Sequence, residues 1–414
     1  MSKRNALLER ISGYYLNSGS FNGISYGKLL LENSTDHEKR LKNLIKEGLI
    51  SVNTTDFFVN PHIKAFPEED VEKQLKSMSN SDPMQTCFYP TKKYQFTIVD
   101  KSQYSDKPFK LMLALGEPQL FHKAFDLHVL ETYRNDPRYY YNNNDVVGRI
   151  CIKDEFYQSN SVQKKDKTSL TEFGFAFDFD MNKRVVAAFV CDLASLTPEH
   201  QQIWKSQMVT GNWILHPGFL GRALGMMQEN ISVSSAILLE MQVINEMTVK
   251  IKRKGEPFFK KIPEKHPKEL SFLIRPTLSE FHKFIHLMDK LLSDNINKTF
   301  FKPFPVSIVD DEGSTRGTIA IFEEWIVNCF KISDRELSNN MIKVFRDIRH
   351  RRQKPAHAII DDVFDQKYFF EQKELMLKIY KAVRTFRLLL LHNVSECQSV
   401  EVPSSILEGK IWNF

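Results

Sequence analysis

The chain of 414 residues lacks long apolar runs, paired cysteines and a strong excess of one charge. No stretch approaches the roughly 20 apolar residues of a membrane-spanning helix, so no transmembrane segment is expected. The five cysteines are scattered without a CxxC pair, which argues against a disulfide framework or a structural zinc site. The amino-terminal residues carry charge but no apolar core of a secretory signal. These features together predict a cytoplasmic protein.

Several common catalytic motifs are also missing. The chain contains no GxxxxGK[ST], no GxGxxG, no HExxH and no GxSxG, so P-loop, dinucleotide-binding, metalloprotease and α/β-hydrolase chemistry are not indicated. His282 and His286 stand four residues apart, a spacing that can bind zinc, but no third ligand is evident nearby. We therefore expect neither a metal nor a cofactor.

The composition is that of a globular protein, with 42% hydrophobic and 26% charged residues. A chain of this length usually forms two or three domains. The pattern of elements predicts an α+β multidomain protein. Its predicted parts are a winged-helix-like domain at 1–66, a linker containing a short helix at 67–85, a mixed α/β region at 86–268, an all-α helical bundle at 269–400 and a tail at 401–414.

The first two-thirds of the chain give the weaker functional signals. An amphipathic helix over HEKRLKNLIKEGLI, followed by short strands at 49–52 and 57–59, resembles a winged helix. The middle region is expected to hold strands at 94–100 and 110–116, and FGFAFDFD with VVAAFVCDL predicts a hairpin with one aromatic face. Arg138 and Tyr140 lie in a segment rich in Tyr, Asn and Arg, so they are candidates for RNA binding. The alternative is an ordered surface loop.

Four amphipathic segments joined by short links predict the carboxy-terminal bundle. The first of them opens with a capping box of Thr277 and Glu280. The third ends in a basic run, because residues 341–357 hold six lysines or arginines against Asp347 alone. Such a run indicates contact with a polyanion, or else a solvated charged face.

An arginine interrupts the apolar stripe of the third bundle helix. The stripe passes through Phe345 and Ile348 and then reaches Arg352. Since a guanidinium stays ionised, we expect Arg352 to meet a carboxylate, a backbone carbonyl, a phosphate or water in a cleft. His357 follows five residues later and can move a proton near neutral pH. An arginine that holds a phosphate beside such a histidine suits RNA cleavage without metal, whereas the alternative is a basic helix surface.

The run Arg352-Gln-Lys-Pro-Ala-His357, at the end of a bundle helix, resembles the Arg-x4–6-His motif of the HEPN superfamily. The resemblance covers roughly residues 270–395, and it departs from the family at Gln353 and Pro355. It implies a homodimer whose paired motif helices form a composite, metal-independent endoribonuclease site that leaves 2′,3′-cyclic phosphate ends. Arg352 would then bind the scissile phosphate and His357 would be the acid/base.

Neighbouring residues complete the predicted site. Candidates for auxiliary phosphate binding are Arg349, His350 and Gln353, and further candidates for RNA binding are Arg346 and Lys354. Asp294 and Asn295 are candidate partners of the motif, or else simply the end of the preceding helix. The resemblance also implies antiviral defence of the abortive-infection or toxin type, with a phage-derived trigger or an antitoxin as partner. The alternatives are a non-catalytic nucleic-acid-binding regulator and a subunit of a larger defence complex.

Overall fold

The computed structural model describes the backbone of residues 3–32, 36–54, 70–180, 183–251, 255–331, 335–353 and 361–412. The protein is α+β. Across these ranges, every helix is too short or too polar to cross a membrane.

The helices of the described ranges are, in chain order, α1 (Lys3–Asn17), α2 (Tyr26–Leu30), α3 (His37–Lys46), α4 (Val71–Asn80), α5 (Lys92–Ile98), α6 (Pro108–Ala114), α7 (Glu131–Arg134), α8 (Asp154–Gln158), α9 (Val190–Ala194), α10 (Pro198–Ser206), α11 (Pro217–Ala223), α12 (Val233–Lys250), α13 (Leu278–Leu291), α14 (Thr318–Cys329), α15 (Arg335–Gln353), α16 (Lys367–Asn393) and α17 (Ser404–Leu407). The strands are β1 (Ile24–Ser25), β2 (Ile50–Thr54), β3 (Thr86–Pro90), β4 (His122–Phe125), β5 (Tyr139–Asn143), β6 (Val147–Ile152), β7 (Ser169–Phe177), β8 (Arg184–Phe189), β9 (Ile214–Leu215), β10 (Ile231–Ser232) and β11 (Ile411–Trp412).

The amino-terminal unit packs α1, α2 and α3 against a small antiparallel sheet with strand order β1-β3-β2. In this sheet Phe88 of β3 lies opposite both Ile24 and Val52 and is fully buried. The predicted strand at 57–59 lies outside the described residues. The strand that pairs with β2 is β3, beyond the predicted linker, and the short helix expected in that linker is α4. The sheet therefore spans the predicted boundary at residue 66.

The middle of the chain is built on a larger antiparallel sheet with strand order β4-β8-β7-β6-β5, and β9 pairs with β7. The predicted aromatic hairpin is confirmed as β7 and β8, which pair Phe175 with Val186. The strands predicted at 94–100 and 110–116 are wrong, because these residues belong to α5 and α6. The Thr91 side chain caps α5 by accepting a hydrogen bond from the Tyr94 backbone N–H, and Pro108 is the first residue of α6.

The carboxy-terminal helices appear where the sequence predicts them, as α13, α14, α15 and α16. The Thr277 hydroxyl caps α13 by accepting from the Glu280 backbone N–H at 3.2 Å. The Glu280 carboxylate instead accepts two hydrogen bonds from Arg134 Nη1, at 2.7 and 2.8 Å. This ion pair joins α7, beside the large sheet, to the first turn of α13.

The bundle contains a further long helix that the sequence analysis did not assign to it. Helix α12 packs along α16, and its residues Ile237, Met241 and Ile244 belong to the same core as the other bundle helices. A buried ion pair between Glu240 of α12 and Arg387 of α16 lies inside this contact. The predicted bundle boundary at residue 269 therefore excludes one of the bundle's central helices.

The Glu240–Arg387 pair generates a stability prediction. Glu240→Ala leaves the buried Arg387 without its counter-charge and should lower the free energy of unfolding by about 3–5 kcal/mol. The double variant Glu240→Leu with Arg387→Met removes both charges and should lose much less. Urea denaturation measures the free energy of unfolding of both variants. Equal losses would contradict the view that Glu240 and Arg387 each offset the cost of burying the other's charge.

Candidate functional site

Two arginines on one face of α15 meet two aspartates at the end of α13. Arg349 and Arg352 are three residues apart, so the helix places both side chains on the same side. Asp289 lies in the last turn of α13, and Asp294 follows the helix, with its backbone N–H donating to the Asp289 carbonyl at 3.0 Å. The turn after α13 thus brings both carboxylates to the arginines. We call these four side chains the Arg–Asp cluster.

Four contacts between the guanidinium groups and the carboxylates hold the cluster together. Arg352 Nη1 donates to Asp289 Oδ2 and to Asp294 Oδ2, both at 2.6 Å. Arg349 Nη2 donates to Asp294 Oδ1 at 2.6 Å, and its Nε lies 3.0 Å from Asp289 Oδ1. Each arginine therefore contacts both carboxylates. The expectation that Arg352 meets a carboxylate is confirmed, and Asp294 is one of its two partners.

The two arginines use different edges of their guanidinium groups. Arg349 directs its Nε and Nη2 at the carboxylates. Arg352 engages them through Nη1 alone, and within the described ranges its Nε and Nη2 have no hydrogen-bond partner. The Nε–Nη2 edge is the pair of parallel donors that binds a carboxylate or phosphate bidentately. Among the described residues, both donors of this edge lack hydrogen bonds in Arg352, whereas in Arg349 the Nη2 donates to Asp294 and the Nε lies within ion-pair distance of Asp289 without a hydrogen bond.

Burial differs sharply across the cluster. The Asp289 side chain is 0% exposed, whereas Arg352 is 31% and Asp294 39% exposed. Burial of Asp294 raises its pKa, but the hydrogen bonds and charges of Arg349 and Arg352 outweigh this, so its pKa lies below the ordinary value. The hydrogen bond to Asp289 raises the pKa of Arg352. The cluster therefore joins a solvent-facing guanidinium to a buried carboxylate.

Two of the four other basic residues of the predicted run, Arg346 and Arg351, have acidic partners. Arg346 pairs with Glu323 of α14, and Arg351 pairs with Asp347 and with Glu371 of α16. His350 and Gln353 are exposed on the surface of α15. Lys354 and His357 lie outside the described residues. The local excess of positive charge seen in the sequence is thus largely balanced in the fold.

The remaining candidates lie on the large sheet, and no described contact brings them to the cluster. Arg138 forms ion pairs with Asp136 and Asp166 at 2.7 and 3.0 Å. The Tyr140 ring is covered by Lys265 Nζ at 5.4 Å from the ring centroid. Asn295 has a local role, because its Oδ1 accepts from the Lys261 backbone N–H and its Nδ2 donates to the Lys261 carbonyl.

Asp289 was not among the residues predicted from the sequence, and His286 was interpreted as a surface or core histidine rather than a zinc ligand. His286 is exposed on α13, three residues before Asp289. Burial, Lys290 and Arg352 lower the pKa of its imidazole, which favours the neutral form near pH 7. Both residues could have been linked to the site from the sequence, because His286 and Asp289 are three residues apart on one helix and this helix ends close to Asp294.

Comparisons of the chain with protein-family models, with curated proteins and with solved structures found no match. Among the residues that the structure describes, no group of three or more His, Cys, Asp or Glu side chains is placed to hold a metal ion. The Arg–Asp cluster is therefore the starting point for a function.

The unequal burial of the two aspartates predicts unequal effects on stability. Asp289→Asn turns an amide group toward buried guanidinium donors and should lower the free energy of unfolding by about 3 kcal/mol. Asp294→Asn, at the exposed side of the same cluster, should lower it by about 1 kcal/mol or less. Urea denaturation of the two variants provides the comparison. A larger loss in Asp294→Asn would contradict the assignment of Asp289 as the anchor.

Proposed function

We propose that the protein is an endoribonuclease in which Arg352 binds the scissile phosphate and a histidine moves the protons. The observation that carries this proposal is that Arg352, a partly exposed side chain at the end of α15, bonds both carboxylates through Nη1 and has no hydrogen-bond partner at Nε or Nη2 within the described ranges. A phosphate diester offers two non-bridging oxygens, which match this pair of donors in spacing and charge.

The aspartates support this role by fixing the orientation of the arginine. A guanidinium is planar, so two hydrogen bonds at Nη1 determine the direction of its remaining donors. A donor that is already oriented needs no reorganisation when negative charge develops on the phosphate oxygens. Arg349 has a different role, because it contacts Asp289 and Asp294 and so helps to hold the two carboxylates in place.

Two histidines are candidates for the proton transfers. His357 is five residues from Arg352, so a fully extended chain would keep the two Cα atoms within about 18 Å. His286 lies on α13 beside the cluster, and its lowered pKa leaves it neutral and able to accept a proton near pH 7. His357 remains the primary candidate from the HEPN-like motif, and His286 is the alternative that the described geometry adds.

The proposed reaction is an intramolecular transesterification. The ribose 2′-oxygen forms a bond to phosphorus while the bond from phosphorus to the 5′-oxygen breaks, leaving a 2′,3′-cyclic phosphate. A histidine takes the 2′-hydroxyl proton as a general base, and the imidazolium so formed gives a proton to the departing 5′-oxygen as a general acid. Arg352 offsets the charge that grows on the non-bridging oxygens. Arg352 thus supplies the positive charge that stabilises the transition state.

The element order supports a wider architecture for this enzyme. The element order α1-β1-α2-α3-β2, with β3 added after α4 in a sheet of order β1-β3-β2, resembles a winged helix. We propose that this unit selects RNA or restrains the nuclease. We further propose that α13–α16 form a HEPN-like bundle, that two copies pair through it, and that the protein acts in antiviral defence. A phage-derived trigger or an antitoxin would then control it.

A non-catalytic nucleic-acid-binding regulator is the less supported alternative. In that alternative the winged-helix-like unit binds DNA and the bundle forms the dimer. A contribution of α15 to nucleic-acid binding is limited, because four of its arginines lie within ion-pair distance of carboxylates. These are Arg346, Arg349, Arg351 and Arg352.

The proposal predicts RNA cleavage that resists EDTA and depends on the Arg352 fork. Arg352→Lys keeps the charge but loses the bidentate geometry, so the single-turnover rate should fall about 10²- to 10³-fold. Arg351→Gln is the matched control, because it removes a partly exposed arginine of the same helix that lies outside the cluster. Total RNA and transfer RNA are incubated with each protein, and the product ends are mapped. Undiminished cleavage by Arg352→Lys would contradict the proposal.

The same assay separates the two histidines. His357→Ala should abolish cleavage if the motif histidine is the acid/base, whereas His286→Ala should abolish it if the α13 histidine has that role. Each variant is checked for unchanged thermal unfolding. Full cleavage by the double variant would rule out both assignments and with them the proposed chemistry.

A further inference from the structure

A second cationic position lies where the large sheet meets the bundle. A cavity of about 60 Å³ opens between β8, the turn joining β5 to β6, the start of α12 and the first half of α16. The side chains that matter for its chemistry are Asp145, Arg184, His216, Phe272 and Lys373. None of them belongs to the Arg–Asp cluster.

Arg184 lines this cavity without a hydrogen-bond partner for its Nε and Nη1 among the described residues, and the nearby charge of Asp145 only partly offsets its burial. Both nitrogens are shielded from solvent, and within the described ranges no carboxylate lies within ion-pair distance of the guanidinium. The guanidinium is instead stacked on Phe272, 4.1 Å from the ring centroid. Burial lowers its pKa to about 10, which leaves it charged at neutral pH. A buried cation without hydrogen bonds is costly, so the position favours an anion.

The nearest carboxylate of the cavity is already engaged elsewhere. Asp145 Oδ1 accepts from the Phe272 backbone N–H at 2.9 Å, and its Oδ2 accepts from the Ser234 hydroxyl at 2.5 Å. Asp145 has a left-handed backbone with φ of 69° at the tip of the β5–β6 hairpin. Its hydrogen bonds thus attach this tip to α12 and to the segment before α13, and they leave Arg184 unpaired.

A second cation faces the same cavity from α16. Lys373 is exposed, and within the described part of the chain it has no acidic partner. Burial and the charge of Arg184 lower its pKa. His216 contributes no charge near pH 7, because burial and Arg184 lower its pKa to about 4. The positive charge of the cavity therefore comes from Arg184 and Lys373, and Asp145, whose charge raises the pKa of Arg184, opposes it with one negative charge.

We propose that this cavity binds the phosphate group of a small phosphorylated molecule. A volume of about 60 Å³ exceeds the roughly 10–15 Å³ that one water requires, so it admits an oxyanion group while the rest of the ligand extends outward. The two cations outnumber the single carboxylate of Asp145, so the cavity favours an anion, and the several oxygens of a phosphate group can contact Arg184 and Lys373 at once. This site stands independently of the ribonuclease proposal, and its ligand would link β8 to α16.

Thermal unfolding of the full chain tests the site with inorganic phosphate as the probe. Potassium phosphate is titrated at constant ionic strength set by potassium chloride, and potassium acetate provides the monoanion comparison. The wild-type midpoint should rise with phosphate and approach saturation, because a ligand that binds only the folded state stabilises it. Acetate should produce a smaller shift. Phosphate also stabilises folded proteins in general, and this effect is the same in all variants. The difference between the shifts of the wild type and the variants therefore removes it.

Two variants and one control decide the outcome. Arg184→Met keeps the packing against Phe272 but removes the charge, and Lys373→Gln changes an exposed side chain that the fold does not need. Each should raise the apparent dissociation constant for phosphate at least about tenfold. Lys381→Gln, on α16 outside the cavity, should respond like wild type.

A structural role for Arg184 would give a different result. Because Arg184→Met removes a buried, unpaired charge, its unfolding midpoint without phosphate should equal or exceed that of wild type. The proposal is overturned if both cavity variants keep the wild-type response to phosphate. If Arg184→Met does not fold, Lys373→Gln alone decides by the same criterion.

Discussion

The buried carboxylate of Asp289 is the constraint on which the candidate site depends. A fully buried carboxylate needs compensating charge, and Arg349 and Arg352 supply it from the last two turns of α15. This requirement fixes the end of α15 against the end of α13. It also holds the guanidinium of Arg352 through its Nη1.

Part of this site could be predicted from the sequence, and part could not. An arginine in an apolar stripe had to find a counter-charge, and Asp294 was identified as a candidate. Asp289 was missed because it is 63 residues from Arg352 and reads as an ordinary polar residue of an amphipathic helix. The basic run also overstated the positive surface, because its partners Glu323 and Glu371 come from other helices. Local charge arithmetic cannot detect pairing that tertiary structure creates.

The fold shows the same division between local and distant information. The β7–β8 hairpin and the helices α13–α16 follow from alternation, capping and periodicity within one segment. Helices α5 and α6 have only seven residues each, too few to separate a helical from a strand pattern. The pairing of β3 with β2 joins strands separated by α4, and the burial of α12 follows from its contact with α16. The two partly buried arginines differ in their hydrogen bonds. Arg352 donates to two carboxylates of the fold, whereas Nε and Nη1 of Arg184 have no hydrogen-bond partner in the described part of the chain.

The central claim is that Arg352, and not Arg349, offers its guanidinium fork to an RNA phosphate. The most direct measurement is an experimental structure of the protein with an RNA oligonucleotide that carries 2′-deoxy sugars and so cannot be cleaved through the 2′-oxygen. The account predicts phosphate oxygens within about 3 Å of Arg352 Nε and Nη2, with the contacts from Nη1 to Asp289 and Asp294 retained. A phosphate bound at Arg349 after separation of the cluster, or RNA bound with the Arg352 edge empty, would contradict it.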